Sequence, residues 1–208
     1  MAYHHGDLRR ALLQAADEAI TEQGVAALSM RDLARRAGVS HAAPTHHFGD
    51  KAGLLTAFAA SGFEQLARAL ATSRLASNSF IELGVTYIRF ATTKRALFEV
   101  MFRTDLYHAD DPSLLAARAQ AADALYAAVS DLPGGLLARD ASDGPARPVR
   151  PGTAEAAPPE VRRAGLAAWS MAHGFATLWL TGAFPDRDLD PAEMARTLFA
   201  ELSRDFAP

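Results

Sequence analysis

Histidine is the side chain most able to do chemistry in this chain, and five of its seven copies fall within the first fifty residues: His4, His5, His41, His46 and His47. Imidazole can ligate a metal, relay a proton or donate to a phosphate oxygen. Metal ligation needs partners at matching spacing, and no carboxylate is placed to complete a set. His46 and His47, as helix neighbours, point about 100° apart. Packing and phosphate contact are the better reading, and no metal site is expected. The chain has no cysteine, which removes disulfides, zinc fingers and thiol nucleophiles. Ser130 and Ser170 lack the G-x-S-x-G elbow of a hydrolase nucleophile. Asp110-Asp111 stands before Pro112, where a helix cap is expected rather than an acid–base pair. Gly134-Gly135 has no strand before it to build a phosphate cradle. Neither catalysis nor a cofactor is expected.

The elements that must position these groups all read as helices. The chain has 208 residues, half of them apolar, with a formal charge of −3 that excludes a polybasic, nucleic-acid-coating protein but not a local basic face. Leu8, Leu12, Ala15, Ala16 and Ala19 fall on one face of a helix over 7–23, with Asp7 as its expected cap and Gly24 as its stop. Ser29 and Asp32 fit a capping box for a helix over 29–36. Gly38 suits a tight turn, Ser40 caps a helix over 40–46, and Asp50 caps a long one over 50–74. Helices follow over 79–92, 94–103 and 112–131. Five prolines and four glycines then break the pattern over 133–158, an expected mobile loop. Helices over 159–183 and 190–206 close the chain. No run of eighteen apolar residues exists, so a cytoplasmic protein without membrane contact is expected.

Two short helices joined by a three-residue turn around Gly38, with a longer supporting helix before them, describe a helix-turn-helix. The stretch LSMRDLARRAGVSHAAPTHHFGDKAGLL, residues 28–55, sharpens this. It resembles the signature of the tetracycline-repressor-like (TetR/AcrR) regulators through Leu33, Ala34, Ala37, Gly38, Val39, Ser40, His47, Phe48, Lys51 and Leu54. Thr45 stands where the family has tyrosine, and Ala43 and Pro44 also depart from its pattern.

The resemblance implies an all-α fold: a three-helix DNA-binding domain over 1–50, joined by a long helix to a ligand-binding and dimerisation domain over 51–208. It implies that Arg31 reads guanine with its planar fork. Ser40, Thr45, His47 and Lys51 map to phosphate-gripping positions, which set register and strength but carry little sequence information. His41 and Thr45 can reach bases, and the Ala42 methyl can pack on a thymine methyl. Residues 1–60 hold six Lys or Arg against six Asp or Glu, so contact with DNA must come from local placement rather than bulk charge.

In the second half, AAWSMAHGFATLWL (167–180) resembles the Trp-His-Gly-bearing C-terminal domain of one branch of these regulators. Trp169 and His173, four apart, share a helix face. His173 is either a core histidine or the polar anchor of an apolar cavity lined by Tyr87, Phe90, Phe98, Met101, Phe102 and Trp169. An unidentified small effector, apolar or aromatic, is the expected ligand. The resemblance favours repression. Because one short reading helix cannot discriminate alone, a homodimer on a palindromic operator is expected, paired through 159–183 and 190–206 by Leu166, Leu178, Leu198, Phe199, Leu202 and Phe206. The alternative is a helical ligand-binding or interaction protein that does not bind DNA specifically.

Overall fold

The computed structural model describes residues 5–77, 79–130, 150–185 and 188–205. Among them every regular element is helical: α1 (His5–Gln23), α2 (Met30–Arg36), α3 (Ala43–Phe48), α4 (Lys51–Ser77), α5 (Phe80–Thr93), α6 (Arg95–Met101), α7 (Pro112–Ser130), α8 (Thr153–Ala156), α9 (Pro159–Thr181) and α10 (Pro191–Asp205). They form two compact units, one from 1–63 with 94–117, the other from 64–93 with 118–208. The expected boundary at residue 50 falls at the start of α4, whereas the first unit also takes in the start of α4, α6 and the first residues of α7.

In the first unit α1 presents Leu12, Ala15, Ala16 and Ala19 to the interior, all buried. α2 and α6 pack on α1. Burying such an apolar stripe stabilises a short helix that its own backbone bonds would leave marginal. α1 begins at His5, so Asp7 lies in its first turn and is not the cap. Gly24, at φ 79°, ends α1, its N–H bonding to the Ile20 carbonyl at 2.8 Å. Asp50 caps α4 as expected, its Oδ1 accepting from the Gly53 N–H at 2.7 Å. Asp111 does the same for α7 through the Ser113 and Leu114 N–H groups. At Gly62 a Cβ would lie 2.6 Å from Met101 Sδ, so the Met101 side chain fills the space that the glycine leaves.

In the second unit α5 packs on α9 and α10. A Cβ at Gly84 would lie 2.7 Å from the Phe199 ring, and Arg196 closes the same helix pair with a fork onto Glu82 at 2.6 and 3.0 Å. Residues 131–149, which hold most of the proline- and glycine-rich stretch, lie outside the described residues. Its end departs from the expected loop: 153–156 form a helical turn because buried Asp123 accepts from the Gly152 and Ala154 N–H groups at 2.9 and 2.8 Å. A carboxylate on an anchored helix there satisfies backbone donors that would otherwise go unmet.

Candidate nucleic-acid interface

α2 enters from Ser29, whose backbone is extended but whose side chain makes no capping bond. The expected capping box does not form, because Asp32 turns to arginine instead. Its Oδ1 takes Arg35 Nη2 at 2.5 Å, and its Oδ2 takes Arg36 Nε at 2.7 Å. Arg36 also reaches Glu22 on α1 at 2.7 Å. Both arginines near the end of α2 are therefore held, while Arg31 is exposed and makes no ion pair among the described residues.

Gly38, at φ 66°, makes the turn after α2, where the Val39 N–H reaches the Ala34 carbonyl at 3.0 Å. The next helix starts later than the sequence suggests. Ser40 only accepts a turn bond from the Ala43 N–H at 3.0 Å, and α3 runs from Ala43 with Ala42 in the capping position. Proline explains the shift. Pro44 lacks an N–H and fixes φ, so it belongs in a first turn, where amide protons have no helical acceptor. There it is fully buried and anchors α3 by packing.

Ser40, His41, Ala42, Thr45 and His46 are exposed around the start of α3. His47 is half-buried and lines a cleft of about 410 Å³ with Arg9, Phe48, Asp50, Thr56 and His108. Lys51 is also half-buried, its Nζ donating to the Ala26 carbonyl at 3.2 Å. That bond uses one of the three ammonium donors. Arg9, which carried no sequence signal, lies over the Phe48 ring at 5.9 Å and ties α1 to the end of α3.

The residues expected to line a cavity fall into two groups, one in each unit. Phe98, Met101 and Phe102 belong to the first: Phe98 meets Phe102 edge-on at 5.1 Å, and Phe102 meets Phe63 at 5.7 Å. Tyr87, Trp169 and His173 belong to the second. There Trp169 Nε1–H donates to Tyr87 Oη at 3.3 Å, and Tyr87 Oη lies 2.9 Å from His173 Nδ1, a bond the phenol donates when the ring carries its proton on Nε2. Phe90, on the same helix as Tyr87, is buried. Burial pushes the Tyr87 phenol up, so it keeps its proton to donate. Burial pushes the His173 imidazole down, favouring the neutral ring that accepts this bond.

The shift of His173 sets a pH dependence. The unfolded chain takes up a proton near pH 6.5, and the folded ring only at lower pH. Stability from this residue is therefore present above that value and is lost as acidification passes through it. Between pH 7.5 and 5.5 the melting temperature should fall further in wild type than in His173→Gln, whose amide oxygen can accept the Tyr87 bond without titrating. Equal acid sensitivity would place the titration elsewhere.

A supported pair of short helices with an exposed arginine, followed by a bundle of longer helices, defines a helix-turn-helix transcription regulator. Residues 12–58 match the model for bacterial regulatory proteins of the tetR family, and residues 80–202 match the tetracyclin repressor-like C-terminal domain. The chain belongs to the TetR family, whose members are DNA-binding transcription regulators rather than enzymes. It is 35% identical over 103 residues to the HTH-type transcriptional regulator BetI of Rhizobium meliloti (strain 1021), a match spanning 48% of this chain and 44% of that relative. A protein of unknown function from Rhodococcus sp. RHA1 is 30% identical in structure-based alignment, with full coverage of both chains and a TM-score of 0.74. The TetR family transcriptional regulator PfmR from Thermus thermophilus shares the fold at 22% identity and a TM-score of 0.62, covering 93% of this chain and 97% of its own. No described helix is long and apolar enough to cross a membrane.

Proposed function

We propose that the protein is a ligand-responsive repressor that binds a palindromic operator as a homodimer. The observation that carries the DNA-reading part is Arg31, without an ion pair among the described residues on a helix whose other arginines are held, beside an exposed run of small and polar residues at the start of α3. Arg31 reads guanine, His41 and Thr45 touch bases, and Ala42 packs on a thymine methyl. Ser40, His47 and Lys51 grip phosphate. The DNA-binding domain is 1–50, and 51–208 carries the effector site and the dimer face.

One short reading helix covers too few base pairs for useful discrimination, so two copies related by a two-fold axis are required. Leu166, Leu178, Leu198 and Leu202 are 54%, 49%, 36% and 38% exposed, too many large apolar side chains for a face meant for water. Phe199 does not join them, because its ring is spent on Gly84 and Phe175; Phe206 lies outside the described residues. Leu178→Asp should convert a dimer into a monomer by light scattering at micromolar concentration, and should abolish the stoichiometry of two chains per duplex. A wild-type monomer, both free and on DNA, would refute the pairing.

The effector site rests on Tyr87, Trp169 and His173. Their mutual hydrogen bonds present a neutral, aromatic surface, which suits an uncharged aromatic or apolar molecule. Such a molecule acts by preferring the conformation in which the reading heads do not fit DNA.

A further inference from the structure

We propose that Asp32 is a positioning residue for DNA recognition: it holds Arg35 and Arg36 so that Arg31 is the guanidinium α2 delivers to DNA, and so sets the ratio of specific to non-specific binding. This rests on the DNA-reading role of α2 proposed above. Each Asp32 oxygen takes one guanidinium. The two arginines differ in what else holds them. The Arg36 side chain is 15% exposed and keeps Glu22 as a second anchor on α1. That of Arg35 is 70% exposed, and its ion pair among the described residues is with Asp32.

Arg35 follows Arg31 by four residues and shares its helix face. Released from Asp32, its long stem could carry the charge to a phosphate about one turn from the contact made by Arg31. A phosphate contact strengthens binding to every sequence alike and so erodes discrimination. The even charge balance of residues 1–60 then has a purpose. Asp32 and Glu22 neutralise the arginines that would bind DNA without reading it.

The test uses four full-length proteins: wild type, Asp32→Asn, Arg35→Gln and the double variant. Each is titrated by fluorescence anisotropy with a random-sequence duplex and with a duplex selected by wild type. Asp32→Asn should bind random duplex several-fold more tightly and discriminate less. One added phosphate contact should steepen the salt dependence by about 0.9 in log–log slope, so the advantage shrinks roughly three- to fourfold between about 50 and 200 mM salt. Arg35→Gln alone should match wild type, and the double variant should return to it. Arg35→Gln is exposed enough to fold in any case, and a shallower salt slope in that variant would show Arg35 already on DNA and overturn the proposal. So would an equal cost of Arg35→Gln in both backgrounds, since Asp32 would then act only as a nearby negative charge. A wild-type chain that binds no duplex defeats the DNA-reading role itself; bound duplex with these arms reversed defeats only the role of Asp32.

Discussion

Arg31→Ala should lower discrimination between specific and random duplex by about tenfold or more while leaving random-duplex affinity within a few-fold of wild type. A bidentate guanidinium contact to a guanine edge contributes roughly 1–3 kcal/mol of discrimination, and about 1.4 kcal/mol is a factor of ten. Arg31 is exposed and makes no ion pair among the described residues, so its loss leaves no carboxylate there stranded. Melting should be unchanged. The measurement is a pair of anisotropy titrations on each duplex at one fixed salt concentration, because non-specific affinity moves steeply with salt. A variant that loses affinity equally for both duplexes would make Arg31 a phosphate contact. One that loses nothing would remove α2 from the interface.

Phe98→Ala should strongly destabilise the fold. The ring is 5% exposed and stacks edge-on with Phe102, which meets Phe63 from α4 in the same unit. Emptying such a site removes the transfer energy and leaves a cavity, together about 3–5 kcal/mol. For a chain of this size that corresponds to a fall in melting temperature of roughly 10 °C. DNA binding should fail with the melt, since α6 packs on α1 and α1 supports α2 within one unit. Thermal melts and DNA titrations on the same preparation decide the matter. Native melting with native DNA affinity would mean that Phe98 lines a cavity, as its aromatic neighbours in the sequence first suggest.

Much of the fold is legible in the sequence alone, for a local reason. The apolar face of α1, the stop at Gly24, the turn at Gly38 and the caps at Asp50 and Asp111 depend on residues within a turn or two of one another. Elsewhere a competing local rule or a distant partner decides the outcome. Ser40 has the chemistry of a cap, but Pro44 fits only the first turn of a helix and moves the start of α3 to Ala43. Ser29 and Asp32 have the spacing of a capping box, yet two arginines three and four residues on are stronger partners for a carboxylate than a backbone amide. The turn at 153–156 depends on Asp123, about thirty residues earlier, and no local pattern reports such a partner. The split of the aromatic residues has the same origin. The sequence groups Tyr87 and Phe98 alike as expected cavity-lining residues, but only the fold assigns one to the Trp169–His173 cluster and the other to the unit that carries the reading helix.

Selection of duplexes from a random pool by the full-length protein, followed by sequencing, tests the DNA-reading claim most directly. Two inverted half-sites should be enriched, each with a G·C pair whose preference disappears when the selection is repeated with Arg31→Ala. A pool that emerges with no enriched sequence, or one whose motif is identical for the Arg31→Ala protein, would contradict it.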